Sequence, residues 1–152
     1  MKSDLVFCLV VPILAFGVLV SCGRNGDGLR DGSYTAEAAD FNVYGWKDYM
    51  TICVSGGHII LVEFDAYNPS GFLRSWDTNN MRTMSWVKGT YPNAYTRYYS
   101  HLFLDMQGTG GIDVLSGASN SHFIFLNLAE AVLKNAREGN KKIALVQFRE
   151  PL

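Results

Sequence analysis

The sequence lacks an excess of charge of either sign. Its 152 residues carry 13 Lys and Arg side chains against 14 Asp and Glu, so the formal net charge is -1. A nucleic-acid-binding domain usually has a basic face, so this balance argues against that class. Charged residues make up only 18% of the chain and aromatic residues 13%. The composition and length therefore suit one domain with a packed core.

The sequence also lacks the usual constellations of catalytic and metal-binding residues. Its three histidines have no metal-ligand spacing, and its carboxylates are scattered rather than paired. The glycine-rich segment 108–111 has neither the Lys-Ser/Thr of a P-loop nor the spacing of a dinucleotide fingerprint, so we expect it to end a helix. No nucleophile–base pair is recognisable, and we predict that the chain is not an enzyme.

The N-terminal segment has the pattern of a secretion signal. Lys2 provides a positive start, and residues 5–20 are almost wholly apolar, which is short for a membrane-spanning helix. The following Leu19-Val20-Ser21-Cys22 resembles the bacterial lipobox, in which the cysteine is lipidated and the signal peptide is cleaved immediately before that residue. We predict a lipoprotein signal peptide over residues 1–21 and lipidation at Cys22. An uncleaved anchor or an ordinary signal are the alternatives.

Three further expectations follow from this prediction. Cys8 would be removed with the signal peptide, which leaves Cys53 without an intrachain disulfide partner. A lone cysteine in an apolar run is typically a small buried hydrophobe. Residues 22–30 are rich in glycine and polar residues, so we predict a lipid-anchored flexible tether with a reach of about 15–20 Å. The folded domain is predicted over residues 31–152.

Hydrophobic periodicity predicts strands first and helices after them. Residues 33–38 have strand character, and residues 50–54 alternate between apolar and polar. Gly56-Gly57 then predicts a tight hairpin turn into the returning strand 58–64.

The later part of the chain has helical spacing. We predict helices over 79–87, 94–106 and 119–138, and a last strand over 143–148. The third helix has an apolar stripe, and Gly139 is suitably placed just after its end. This order predicts an α+β domain with a mainly antiparallel sheet and helices packed on it.

The most informative segment is residues 113–119, DVLSGAS, which lead into the third helix. A turn of small residues before a helix presents free N–H groups and the positive end of the helix dipole, an arrangement that suits a phosphate. Two interpretations of Ser119 are open here. Its hydroxyl is either an ordinary N-cap, with Ser116-Gly117 as an ordinary turn, or a group that holds or carries a phosphate.

The segment DVLSGAS resembles the flavinylation motif of the FMN-binding domain family, Asp-x-x-(Ser/Thr)-Gly-Ala-(Thr/Ser). The resemblance extends over about residues 31–140, through the opening DGSYTAEA, the Gly-Gly hairpin and the helix after the motif. That family includes flavin-bearing peripheral subunits of the sodium-pumping NADH:quinone oxidoreductase and of the Rnf complex. It also includes small lipoproteins that carry electrons outside the cytoplasmic membrane.

The resemblance implies a role for each motif position. Ser119 would be joined to FMN through a phosphodiester, made by a separate flavin transferase that uses FAD and Mg. Asp113 would orient the turn or help to recruit the transferase's metal ion. Ser116, Gly117 and Ala118 complete the cofactor-binding motif, and the two small residues allow a phosphate and the transferase close to the backbone.

The expected function is that of a membrane-anchored, extracytoplasmic electron carrier whose cofactor is FMN. Its partners would be the transferase, membrane or periplasmic redox proteins, and the bilayer through Cys22. A surface lipoprotein that binds FMN noncovalently, or that serves as a non-redox interaction or antigenic module, is the alternative. A flavin reductase is less favoured, because no nicotinamide fingerprint is present.

The sequence departs from the family pattern in two places. The acceptor Ser119 stands where most members have Thr, and residues 67–72, YNPSGF, replace the common Glu-Thr-Pro-Gly-x-Gly that helps to hold the flavin ring. The ring contacts are therefore not assigned. Tyr67 and Trp76 could stack on the ring, although aromatic residues in such positions more often belong to the core.

Overall fold

The computed structural model describes residues 28–148. The predicted signal peptide and Cys22 lie outside this range, as do most of the tether and the last four residues. Within residues 28–148, no helix has the length and the apolar character that crossing a membrane requires.

A four-stranded sheet forms one layer of the domain. Its strands are β1 (Gly32–Ala38), β2 (Lys47–Ser55), β3 (His58–Tyr67) and β4 (Ala144–Val146), in the order β3-β2-β1-β4. The pairs β1–β2 and β2–β3 are antiparallel, and β4 lies parallel to β1. The prediction of an α+β domain with a mainly antiparallel sheet is confirmed.

The β2–β3 hairpin turns where the two glycines predict it. Gly56 and Gly57 have φ angles of 60° and 78°, the left-handed conformation that two-residue hairpin turns favour. The Asp31 carboxylate accepts a hydrogen bond from the Gly57 N–H at 3.0 Å. Hydrogen bonds from the Gly57 and Gly56 backbone lower the pKa of Asp31. This contact joins the start of the domain to the hairpin.

A 3₁₀ turn and three helices follow the hairpin. The turn covers Arg74–Trp76, and the helices are α1 (Thr78–Lys88), α2 (Pro92–Met106) and α3 (Ser119–Glu138). The bounds of α3 are those predicted. Helix α2 begins two residues before its predicted start, because a proline at the first helical position is compatible with helix geometry.

The core lies between one face of the sheet and helices α2 and α3. Phe125 of α3 is fully buried at its centre and stacks on Tyr99 of α2, with the ring centroids 5.0 Å apart. Alternate residues of the strands face these rings, and the largest of them are Tyr34, Met50, Ile52 and Phe64. This packing fixes the N-terminal end of α3 relative to the sheet.

One sequence prediction differs from the structure in detail. Cys53 is only half-buried, because strand alternation places it on the sheet face opposite the helices. Helix α2 ends at its predicted residue, Met106, and its C-cap is Gln107 in a left-handed conformation rather than one of the glycines of residues 108–111. The Gln107 side-chain oxygen accepts a hydrogen bond from the Ile59 N–H, and the side-chain nitrogen donates one to the Ile59 carbonyl. These two bonds offset the free-energy cost of the left-handed backbone at Gln107.

Candidate functional site

The loop that contains DVLSGAS connects α2 to α3 and is held by both helices. The Leu115 N–H donates to the Tyr99 hydroxyl of α2 at 3.0 Å. The His122 Nε2 of α3 lies 2.9 Å from the Ile112 carbonyl oxygen. A turn hydrogen bond joins the Ala118 N–H to the Leu115 carbonyl at 2.9 Å. The backbone of the loop is therefore held in place immediately before α3 begins.

Gly117 occupies a position that only glycine fits without strain. Its φ is 81°, in the left-handed region, and a Cβ atom there would collide with the carbonyl oxygen of Lys88 at the end of α1. The next residue, Ala118, is 4% exposed. The small side chains of the motif thus let the loop pack against α1.

Ser119 is the first residue of α3, and Ala118 occupies the N-cap position with no side-chain hydrogen bond to the helix end. The interpretation of Ser119 as an N-cap is therefore wrong. The first intrahelical bond runs from the His122 N–H to the Ala118 carbonyl, so the N–H groups of residues 119–121 have no acceptor within the helix. Ser119 is exposed and is the first of these three residues.

The motif residues do not all lie together. Gly117, Ala118 and Ser119 line a cleft of about 700 Å³. Asp113 and Ser116 are exposed and lie outside its lining. The structure thus brings three of the five predicted motif residues to one site. The other two are exposed in the loop just before it.

The remaining walls of the cleft come from distant parts of the chain. The loop between β1 and β2 contributes one wall, α1 contributes another, and the 3₁₀ turn and α2 close the base. The lining residues from these elements are Asn42, Tyr44, Trp46, Arg74, Asn80, Met84, Lys88 and Tyr95. None of these residues was predicted from the sequence to belong to the site.

The β1–β2 loop presents two aromatic side chains to the cleft. The Asn42 side-chain oxygen accepts hydrogen bonds from the N–H groups of Tyr44 and Trp46, each at 3.0 Å. The Asn42 N–H donates to the Trp46 carbonyl at 2.8 Å. Trp46 is half-buried, whereas Tyr44 is 83% exposed. These contacts fix the backbone of the loop that carries the two aromatic side chains.

The two aromatic residues suggested for ring stacking lie elsewhere. Tyr67 packs against Phe41 and Tyr49, on the sheet face opposite the helices. Trp76 is 63% exposed and contacts Phe72 edge-on. Neither residue lines the cleft that contains Ser119. The structure therefore does not bring Tyr67 and Trp76 to the cleft that contains Ser119.

A buried ion pair lies at the base of the cleft. The Arg74 Nη2 is 2.7 Å from the Asp48 Oδ1, and the two side chains are 11% and 4% exposed. Burial raises the pKa of Asp48, while the charge and hydrogen bond of Arg74 oppose that rise. The Arg74 Nε is buried and has no hydrogen-bond acceptor among the residues that the structure describes. An unsatisfied buried donor of this kind costs about 1–3 kcal/mol.

The electrostatics of the cleft favour an anion. In the part of the chain that the structure describes, the charged residues lining it are the two cations Arg74 and Lys88. Asp48 pairs with Arg74 and the charge of Asp65 also acts on it, so Lys88 is the cation of the cleft without a described carboxylate partner. The free N–H groups and the positive dipole end of α3 point to the same volume. Together with the aromatic wall, the arrangement suits a ligand with a phosphate and a planar ring.

Comparisons with known proteins give the chain its relatives. No model of a known protein family matches it. It is 31% identical to the 15 kDa lipoprotein of Treponema pallidum over 114 residues, which are 75% of this chain and 81% of that protein.

Two solved structures resemble the fold. A crystal structure of a Clostridium perfringens protein has a TM-score of 0.75 and 34% identity, covering 80% of this chain and 99% of that one. A solution structure of a Clostridium thermocellum protein has a TM-score of 0.51 and 25% identity, covering 80% and 100% of the two chains. The domain described here therefore recurs as nearly the whole of each solved chain.

Proposed function

Since this chain belongs to the family of bacterial lipoproteins that includes the treponemal 15 kDa lipoprotein, we propose that it is a membrane-anchored, extracytoplasmic electron carrier. Its anchor is Cys22, in the lipobox that lies outside the described residues. Its redox group is FMN, joined to Ser119 by a phosphodiester. Bound FMN supplies the electron-transfer chemistry, and the protein supplies attachment, burial and tuning of the potential.

The observation that supports this proposal most strongly is the setting of Ser119. Its hydroxyl is exposed at the first residue of a 20-residue helix and lies at a cleft whose charged lining is cationic. The N–H groups of the first turn can bind the phosphodiester oxygens, and Lys88 balances their charge. Trp46 and Tyr44 offer the side of the cleft that suits the flavin ring.

The attachment reaction needs an accessible hydroxyl. The Ser119 oxygen attacks the phosphorus atom on the FMN side of FAD, and the new O–P bond replaces the pyrophosphate bond. AMP leaves, and the hydroxyl proton passes to a base of the flavin transferase. Because Ser119 is exposed and makes no cap bond, its hydroxyl can reach the active site of that partner enzyme.

Flavin fluorescence on a denaturing gel tests the proposal. The full-length protein is co-expressed with a flavin transferase as wild type, Ser119→Ala, Ser119→Thr and Ser55→Ala. We expect fluorescent bands for the wild type, for Ser119→Thr and for Ser55→Ala, which alters an exposed hydroxyl at the end of β2, outside the motif and the cleft. Ser119→Ala is expected to be dark. A dark wild type, or a fluorescent Ser119→Ala variant, contradicts covalent attachment at this residue.

A second candidate is a non-redox interaction module or a noncovalent FMN-binding protein. The exposed apolar residues Val43 and Tyr44, both 83% exposed in the β1–β2 loop, favour a surface that contacts another molecule. Reversible FMN binding that is equal in the wild type and Ser119→Ala, with no covalent flavin in either, would support this candidate over the first.

A further inference from the structure

We propose that Arg74 directly binds the phosphate of the ligand held in the cleft, in addition to its ion pair with Asp48. This inference rests on the proposed function for the identity of the ligand, FMN. It concerns noncovalent recognition, which can be measured whether or not Ser119 is modified.

The first argument is the incomplete hydrogen bonding of Arg74. A guanidinium has five N–H donors in a fixed plane, and the Asp48 contact at 2.7 Å engages one nitrogen. The Nε is buried without an acceptor among the described residues. Buried donors in folded proteins are almost always paired, so Arg74, which lines the cleft, has hydrogen-bonding capacity left for an acceptor that a ligand can supply.

The second argument is the position of Arg74 relative to α3. Its guanidinium carbon lies 5.9 Å from the centre of the Tyr95 ring. Tyr95 lines the cleft together with Ser121, which lies in the first turn of α3. All three residues line one cleft, so the guanidinium and the free N–H groups face the same volume.

The third argument is the choice of residue. Arginine binds phosphate oxygens through two parallel N–H groups, and the Asp48 carboxylate fixes the plane of the fork. Lys88, the other cation of the cleft, is exposed and lies at the end of α1. It is suited to long-range attraction, whereas Arg74 is held in one orientation. We therefore infer that Arg74 makes the cleft bind a ligand with a phosphate more tightly than the same ligand without one.

The experiment compares FMN with riboflavin, which lacks the phosphate. Both are titrated into the full-length Ser119→Ala protein in detergent, where covalent loading at Ser119 is blocked. We expect FMN to bind roughly tenfold more tightly than riboflavin, the size of effect typical of a hydrogen bond to a charged group. The preference is expected to fall, in Ser119→Ala/Asp48→Asn/Arg74→Met, to the part that Lys88 and the α3 N–H groups supply.

Two further variants control the experiment. Removing Asp48 and Arg74 together avoids a buried unpaired carboxylate, which would destabilise the domain, and thermal unfolding checks that the variant is folded. Arg97→Met on the Ser119→Ala background removes an exposed cation of α2 that lies outside the cleft, and it should keep the FMN preference. Arg74→Lys keeps the charge without the fork and should retain only part of the preference.

The outcomes separate this inference from the proposed function. An unchanged FMN-to-riboflavin ratio in the folded Asp48→Asn/Arg74→Met variant overturns the role of Arg74, as does the absence of binding by either flavin. Covalent loading of the wild type is measured separately. A loaded wild type without an Arg74-dependent preference rejects this inference alone, whereas an Arg74-dependent preference with an unloaded wild type rejects covalent attachment alone.

Discussion

Substituting Gly117 by alanine should destabilise the domain through two separable effects. The first is the left-handed backbone at φ 81°, which costs an alanine about 1–2 kcal/mol. The second is the collision of the new methyl group with the Lys88 carbonyl oxygen. Overpacking of this kind costs about 1–3 kcal/mol, because the loop or the end of α1 must move. The expected loss in the free energy of unfolding is therefore about 2–5 kcal/mol.

The chain offers a matched control for this variant. Gly71 has a φ of 82°, and a Cβ atom built on it meets nothing within 4 Å. Gly71→Ala should therefore show only the backbone cost of about 1–2 kcal/mol. Urea denaturation of both variants measures the difference. Equal destabilisation of the two would refute the argument that Gly117 is required by close packing of the motif loop against α1.

Three further predictions concern the ends of the helices and the buried ion pair. Ser119→Ala should change the free energy of unfolding by less than about 0.5 kcal/mol, because Ser119 is not an N-cap. Asp77→Ala should cost about 1 kcal/mol in the same denaturation assay, because the Asp77 carboxylate caps α1 through the Asn79 and Asn80 N–H groups. Burial raises the pKa of Asp48, so the folded protein keeps the Asp48 proton to a higher pH than the unfolded chain does. The contribution of Asp48 to the free energy of unfolding is therefore fully present below its ordinary pKa and is lost as the pH rises through its pKa in the folded protein. Relative to Asp48→Asn, the wild type should therefore lose stability from acid towards neutral pH, and the opposite trend in a denaturation series would show that Arg74 outweighs the cost of burial.

The elements predicted best from the sequence are those with the strongest local signals. Helix α3 has a regular apolar stripe and ends at Gly139, which has the left-handed φ of 70° typical of that position. The hairpin turn is specified by two adjacent glycines. Strand β2 begins earlier than predicted, at Lys47, because its first residues pair with β3 while carrying polar side chains. The parallel pairing of β4 with β1 depends on the path of the whole chain and has no local signal.

The candidate site was predictable only along one continuous segment. The motif places Gly117, Ala118 and Ser119 at the start of a helix, and the structure puts all three on the cleft. Trp46 and Arg74 reach the same cleft from a loop and a 3₁₀ turn, neither of which has periodicity. An aromatic residue such as Trp76 has the right chemistry to contact a flavin ring, but its position relative to the cleft depends on tertiary packing, which the sequence does not reveal.

Tandem mass spectrometry of the flavin-bearing peptide tests the central claim most directly. Trypsin cleavage after Arg97 and Lys134 releases residues 98–134, which contain Ser119 together with Ser116 and Ser121. The protein is purified from cells that supply a flavin transferase. We predict that this peptide gains the mass of one FMN less one water and that fragmentation places the gain on Ser119. An unmodified peptide, or a flavin located on Ser116 or Ser121, would contradict the account.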